Sequence, residues 1–263
     1  MTKKPVLWMV LAVLAVASAA FSWRYFTRAF PLLSLDIRMD RQDALAGGRA
    51  LATTEQLGPP KYRDAASFSL DETVQTFVEL EGGGKPAFNA LVVDRLFSPY
   101  RWRVRHFKER EQREVTFAFA ADGSPSGFVE TLKEDEPGAA LAEAAARGIA
   151  ESAAARVWRV DLAPFRPVEH SQEQRIGGRV DHAFVYELPD RRLGEGRYRL
   201  RLGVDGDKLT EVTYFIKIPD AFNRRYENMR SANTAIGIGG SLAFLVLYGV
   251  GGIAVGLFFL MRD

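Results

Sequence analysis

The stretch RYRLRLGVDGDKLTEVTY, residues 197–214, decides the fold class of this chain. Apolar residues alternate with arginines up to Asp205 and Gly206, and the alternation resumes after this pair. A period of two on both sides of an Asp-Gly pair is typical of two antiparallel strands joined by a tight turn. The stretch therefore predicts a β-hairpin.

A second stretch, EVTFAFAADGSPSGFVET at residues 114–131, has the same form. Its turn signal is Asp122 and Gly123, and each hairpin carries a valine seven residues after the aspartate, Val129 and Val212. The match indicates a repeated unit. The alternative is a chance likeness of two ordinary hairpins, because Asp-Gly turns are common.

Each hairpin follows a predicted helix that is rich in small residues. The first covers residues 41–57, with Asp40 as its N-cap and Asp43 three positions later. The second covers residues 138–158, after a negatively charged start at residues 134–136. We expect it to pack through a stripe of Leu141, Ala145, Ile149 and Ala153.

These elements predict an α+β fold of two tandem units, residues 24–133 and 134–219, each a helix on an antiparallel sheet. Arg101 to His106 alternate as a strand, and residues 86–96 are expected to be helical. The remaining predicted strands lie near residues 157–162, 178–188, 196–204 and 211–218.

Two uncharged runs flank these units, at residues 5–23 and 231–261. A helix needs about 20 apolar residues to cross a bilayer. We therefore predict a transmembrane helix or signal anchor at 1–23, a juxtamembrane connector at 220–234 and a transmembrane helix at 235–261. The alternative for the first run is a signal peptide cleaved after Ala19, since residues 17–19 read ASA.

The predicted topology places the N-terminus in the cytoplasm, because Lys3 and Lys4 precede the first span. The units between the spans are then extracytoplasmic, on the outer side of the inner (plasma) membrane. The arginines beside the spans, such as Arg24 and Arg230, favour the opposite orientation. We retain the first prediction because long loops are translocated largely regardless of charge.

Composition excludes several classes of function. Residues 24–230 hold 32 basic and 32 acidic side chains, so no electrostatic attraction to nucleic acid is expected. The chain has no cysteine, which excludes thiol catalysis and cysteine-ligated metals. Its three histidines, 106, 170 and 182, lack metal-binding spacing. The sequence therefore predicts no catalytic residue, no metal site and no cofactor.

Two rows of arginines alternate with apolar residues along predicted strands, and they could present a basic surface to an acidic partner or to lipid headgroups. The alternative is an ordinary solvated strand face. The rows are Arg101, Arg103 and Arg105, and Arg197, Arg199 and Arg201.

The second span holds seven glycines, and Gly252 and Gly256 form a G-x-x-x-G motif. Small residues allow close approach of helices in lipid. An isolated anchor has no need of so many, so we expect this span to pack against other transmembrane helices.

Four stretches carry a resemblance to a known family. They are residues 30–52 (FPLLSLDIRMDRQDALAGGRALA), 67–88, 98–107 (SPYRWRVRHF) and 196–240. The chain resembles the N-terminal, non-catalytic region of CPBP-type intramembrane proteases, the CAAX-protease and bacteriocin-processing family. Its units also resemble PepSY or cystatin-like modules.

The family's catalytic motifs are E-E-x-x-x-R and F-x-x-x-H, and this chain departs from both. It has no Glu-Glu pair, and Phe165 is followed four residues later by Glu169. No catalytic residue is therefore assigned. The resemblance implies that the catalytic spans follow residue 263 or lie on a separate chain.

Three functional hypotheses follow. The chain is the extracytoplasmic sensor or substrate-handling front of such a protease. Alternatively, it is an independent two-span binding or assembly module that acts with a partner protein. The third hypothesis, an enzyme on a membrane tether, requires an acid/base or metal site that the sequence does not offer. The expected partners are the lipid bilayer and other transmembrane helices.

Overall fold

The computed structural model describes residues 5–29, 35, 37–94 and 96–261, which divide into two units, Met1–Lys217 and Ile218–Asp263. The helices of the first unit are α1 (Pro5–Ala29), α2 (Arg41–Glu55), α3 (Glu72–Leu80), α4 (Gly84–Val92) and α5 (Glu143–Trp158). Its strands are β1 (Arg63–Leu70), β2 (Tyr100–Phe107), β3 (Glu114–Ala120), β4 (Pro125–Thr131), β5 (Arg166–Gln174), β6 (Val180–Leu193), β7 (Gly196–Asp205) and β8 (Lys208–Lys217).

The strands form one antiparallel sheet in the order β1-β2-β3-β4-β8-β7-β6-β5. The predicted α+β class is therefore confirmed. Both predicted hairpins are present, as β3-β4 and β7-β8. Their turn glycines have φ of 91° at Gly123 and 67° at Gly206, a region that glycine enters without the Cβ clash of other residues.

The two halves of the sheet meet where β4 pairs with β8. The seam is short, with Phe128 opposite Val212 and Val129 opposite Glu211. Each half contains four strands that pair in chain order, with α2, α3 and α4 in the first half and α5 in the second. One continuous sheet spans both halves, so the predicted boundary between two units at residue 133 stays a prediction.

The core covers one face of this sheet. Its central side chains lie opposite one another from strand to strand and are all buried: Val104, Phe117, Phe128, Val212, Leu202 and Phe184. Helices α2 and α5 pack on this face, α2 against β1 and β2, and α5 against β7 and β8. The opposite face of the sheet is the open face.

Helix α2 begins as predicted. The Asp40 carboxylate accepts hydrogen bonds from the backbone N–H groups of Gln42 and Asp43, at 2.7 and 2.8 Å. The Asp43 carboxylate in turn accepts from the Asp40 N–H, which completes a capping box. Further along the helix, a Cβ at Gly48 would lie 2.6 Å from Val104 Cγ1. A glycine is therefore needed for the helix to lie this close to the sheet.

Helix α5 differs from the prediction in start and in face. It begins at Glu143 instead of residue 138, because Arg179 donates hydrogen bonds to the carbonyls of Lys133 and Glu136 and Val180 N–H donates to Ala139 O. These bonds hold the preceding residues against β6 and keep them out of the helix. The predicted stripe was wrong as well, since the buried residues are Ala146, Ala150 and Ala154.

Two polar contacts explain this face. The Arg147 guanidinium lies 4.6 Å from the centre of the Phe184 ring. One turn later, Glu151 accepts a hydrogen bond from the Tyr186 hydroxyl at 2.8 Å. Because most other residues of this helix are small, its sequence has no dominant apolar side, and contacts with the sheet determine its rotation.

The strand predictions missed both edges of the sheet. Strands β1 and β5 were not predicted. Strand β5 is almost wholly exposed and its residues are mostly polar, so it lacks an apolar alternation. The strand predicted near residues 157–162 is absent from the described structure. Helix α5 continues to Trp158 there and ends at Arg159 with φ of 54°.

Two helices have the length and composition of membrane spans. The first is Leu7–Phe26, within α1. The second is Asp220–Leu260 in the C-terminal unit, which consists of α6 (Asp220–Phe244), a π-helical segment (Leu245–Val250) and α7 (Gly251–Leu260). The predicted connector at residues 220–234 is thus helical and continuous with the span.

Candidate functional site

Both predicted arginine rows lie on the open face of the sheet. In β2, Arg103 is opposite Ala118, and in β7, Arg199 is opposite Phe215. Val104 and Leu200, one residue further along each strand, are buried on the core face. The alternation predicted from sequence therefore holds, and the fold places the two rows on one surface.

Carboxylates on the open face pair with most of these arginines. Arg199 Nε lies 3.0 Å from Glu187, and Arg201 Nε lies 3.0 Å from Glu211. The other pairs are Arg101 with Asp71 and Arg105 with Glu114. Within the described part of the chain, Arg103 is exposed and has no ion pair. The rows form a surface of alternating charge.

A cleft of about 480 Å³ opens on the same face and extends over five neighbouring strands, β4, β8, β7, β6 and β5. Its lining includes three small residues on neighbouring strands, Ser171, Ala183 and Gly203. Arg201 is the only arginine of the two predicted rows among its lining residues. The volume is within the range of small-molecule sites, about 300–1,000 Å³.

Two arginines donate hydrogen bonds to one aspartate at the end of this cleft. Asp181 accepts a hydrogen bond from Arg175 Nε at 2.7 Å and another from Arg179 Nε at 2.7 Å. Burial opposes ionisation of Asp181, but the two guanidinium groups overcome it and lower its pKa. Arg179 is almost fully buried, and through Lys133 and Glu136 it attaches the segment between the two halves to β6.

Asp205 lies beside this cluster, and no guanidinium of the described residues lies at hydrogen-bond distance from it. Burial raises the pKa of Asp205 to about 6, and the negative charge of Asp181 adds to the effect. Asp181 therefore stays ionised, whereas the pKa of Asp205 is about 6. Carboxylates outnumber arginines in the lining of the cleft.

A fully buried carboxylate joins the halves on the core side of the sheet. Glu130 accepts hydrogen bonds from Gly58 N–H at 2.7 Å, from Arg113 at 3.2 Å and from Lys208 Nζ at 2.8 Å. Lys208 belongs to the second half and the other three residues to the first. This network strengthens a seam that has few strand pairs.

The three histidines occupy two different environments. His106 is buried in β2, stacks on Tyr62 with 4.0 Å between ring centroids, and has no hydrogen bond at either nitrogen. Burial lowers its pKa to about 4. His170 and His182 lie on adjacent strands, with 3.1 Å between His170 Nε2 and His182 Nδ1.

The sequence analysis did not predict this pair. The β5-β6 hairpin turns at Gly177 and Gly178, and its register places His170 opposite Phe184 and His182 opposite Gln172, so the two rings meet diagonally across the strands. The signal was overlooked because β5 was not recognised as a strand. In the described residues, no group of three or more histidine, aspartate or glutamate side chains is arranged to hold a metal ion.

Gly252 and Gly256 lie in α7 with open space around them. A Cβ added at either position would meet no heavy atom within 4 Å, and the same is true of the other five glycines of this unit. The C-terminal helix therefore carries a surface of small residues. The chain matches no protein-family model, no curated protein and no solved structure.

Proposed function

We propose that this chain is a membrane-anchored protein whose α+β domain lies on the extracytoplasmic side of the inner membrane as a non-catalytic sensing or substrate-handling module. The observation that carries the proposal is the order of elements: a candidate span, a folded sheet domain and a second candidate span. The chain resembles the N-terminal region of CPBP-type intramembrane proteases. The activity that we associate with it is therefore intramembrane proteolysis, carried out by transmembrane spans other than its own two.

The glycines of the C-terminal helix support this role. Seven glycines with open space are costly in an isolated helix, where each weakens helix propensity by about 1 kcal/mol relative to alanine. In lipid they permit close backbone approach, which favours packing against another helix. Packing of the C-terminal helix against the helices of a catalytic domain would account for these glycines.

The finer fold proposal is a pair of PepSY or cystatin-like units. It is supported by a long helix that packs on four antiparallel strands in each half, α2 in the first and α5 in the second; the first half has α3 and α4 in addition. The β3-β4 and β7-β8 hairpins would then be equivalent elements, with their last strands paired at the seam.

The second candidate is an independent binding module that acts with a partner protein. The cleft beside Asp181 and Asp205 favours it, because the cleft lies entirely within the sheet domain and requires no further chain. Its excess of carboxylates over arginines suits a ligand or partner segment with a positive charge.

The test is the double substitution Gly252→Leu and Gly256→Leu in the full chain, with Ala254→Leu as the matched control. Membranes are solubilised in mild detergent and proteins that co-purify with the tagged chain are identified. We expect a multi-span protein with an E-E-x-x-x-R motif, recovered with wild type and control and lost with the double variant.

Two outcomes would contradict parts of this proposal. Equal recovery with the double variant would show that the glycines do not form the contact. Recovery of a specific partner without the protease motif would replace the protease role with the second candidate.

A further inference from the structure

Glu143, His170 and His182 form a continuous chain of polar contacts between three elements. Glu143 is the first residue of α5, His170 lies on the edge strand β5, and His182 lies on β6. His182 Nε2 is 2.9 Å from the carbonyl oxygen of Leu141, and His182 Nδ1 is 3.1 Å from His170 Nε2. His170 Nδ1 is 3.4 Å from Glu143 Oε2.

The first two contacts determine where the protons of the two rings lie. A carbonyl oxygen only accepts, so His182 Nε2 must carry the hydrogen that Leu141 O receives. The Nδ1 atom of neutral His182 is then an acceptor, and His170 Nε2 must donate to it. This assignment leaves His170 Nδ1 without a hydrogen when the His170 ring is neutral.

The third contact is consequently favourable only when His170 is protonated. With a neutral ring, the bare Nδ1 atom faces the Glu143 carboxylate, and two acceptors oppose each other. With a protonated ring, the same geometry becomes a salt bridge. A second proton on the pair would place two N–H donors between His170 and His182, so that state also breaks the chain.

The surrounding groups leave a Glu143 oxygen facing His170 and shield the inner ring. The hydrogen bond from Arg147 lowers the pKa of Glu143 and leaves its second oxygen facing His170. The next acidic residue of α5, Glu151, is occupied by the hydroxyl of Tyr186. The His170 ring stacks on Phe184 at 4.9 Å, and His182 is buried, so water does not readily replace the contacts of the inner ring.

We propose that Glu143, His170 and His182 are a proton-operated clasp, which ties the first turn of α5 to strands β5 and β6 when His170 is protonated. The proposal stands on this geometry and is independent of the function proposed above. The clasp forms in the singly protonated state of the histidine pair. Loss of that proton removes the charge that attracts Glu143, and a second proton places two N–H donors against each other. Imidazole is the side chain that can change its charge near neutral pH.

The clasp lies at the end of the segment that connects the two halves of the sheet. His182 Nε2 holds Leu141 of this segment in either charge state of His170, and Arg179 holds its other end through Lys133 and Glu136. Only the contact between His170 and Glu143 depends on the charge of His170. Proton loss therefore frees the first turn of α5 from β5 and leaves the connecting segment attached at both ends.

Hydrogen exchange of the full chain in detergent micelles, with EDTA present, tests the proposal at pH 5.5, 6.5 and 8. Rates are corrected for the intrinsic pH dependence of exchange. We expect amides in residues 143–147 and 166–172 to exchange about two- to fivefold faster at pH 8 than at pH 6.5, the effect of losing one partly exposed ion pair. Amides in β3 serve as the internal reference.

His170→Gln and Glu143→Gln are the decisive variants, because both side chains are partly exposed and tolerate replacement without loss of the core. Each should remove the difference between pH 6.5 and pH 8 and leave exchange fast at both. His106→Leu is the control and should retain the difference. Equal exchange at the two pH values in wild type, or an unchanged difference in His170→Gln, would overturn the clasp.

Discussion

Protonation of His106, which is buried, and of Asp205, which is half-buried, changes the stability of the domain in opposite directions. Burial lowers the pKa of His106 to about 4, below its value of 6.5 in an unfolded chain. The unfolded state therefore binds more protons between pH 6.5 and 4, and folding stability is lost as the pH falls through this range.

The His106→Leu variant should lack this loss. From the difference between the two pKa values, we expect wild type to lose about 2–3 kcal/mol between pH 6.5 and 4 through this residue, and the variant to lose correspondingly less. Thermal unfolding of the full chain in detergent at several pH values measures the difference. A variant with the same pH dependence as wild type would contradict the role of His106.

Asp205 has the opposite sign, because burial raises its pKa to about 6 from 3.8. The folded state then holds the proton more tightly, and stability falls as the pH rises through this range. Asp205→Asn should stabilise the protein by about 1–2 kcal/mol at pH 7.5 and have little effect at pH 3.5. Unfolding temperatures at these two pH values measure the gain, and an equal gain at both would exclude titration as the cause.

At the scale of elements, one substitution should have opposite effects in two helices. Gly48→Ala in α2 places a Cβ 2.6 Å from Val104 Cγ1 and should cost about 1–3 kcal/mol through overpacking. Gly148→Ala in α5 meets no atom within 4 Å and should stabilise by about 0.5–1 kcal/mol through helix propensity. Chemical unfolding of both variants makes the comparison, and destabilisation by Gly148→Ala would contradict the exposed position of this residue.

At the scale of the whole molecule, the predicted membrane topology can be tested directly because the chain has no cysteine. Ile176 lies at the tip of the β5-β6 hairpin with 85% of its surface exposed, so Ile176→Cys adds one reactive thiol without altering the core. If the domain is extracytoplasmic, a membrane-impermeant maleimide that reaches the outer face of the inner membrane should label it in intact cells. Labelling only after lysis would place the domain in the cytoplasm.

The sequence by itself determined the elements whose causes are local. The Asp40 cap, the Asp-Gly turns, the alternation of β2, β3, β7 and β8, and the two apolar runs all depend on residues close together in the chain. Backbone conformation and side-chain alternation follow from such neighbours. These features were predicted, and with them the α+β class and the common face of each arginine row.

Only the tertiary structure decided the rest. The β4-β8 seam, the polar edge strand β5, the buried side of α5 and the meeting of His170 with His182 depend on partners distant in sequence. An alanine-rich helix has no apolar side of its own, and a polar strand gains its structure only by pairing at a sheet edge. The physical reason is that packing and strand pairing are contacts between elements, whereas the sequence pattern reports the preference of each element alone.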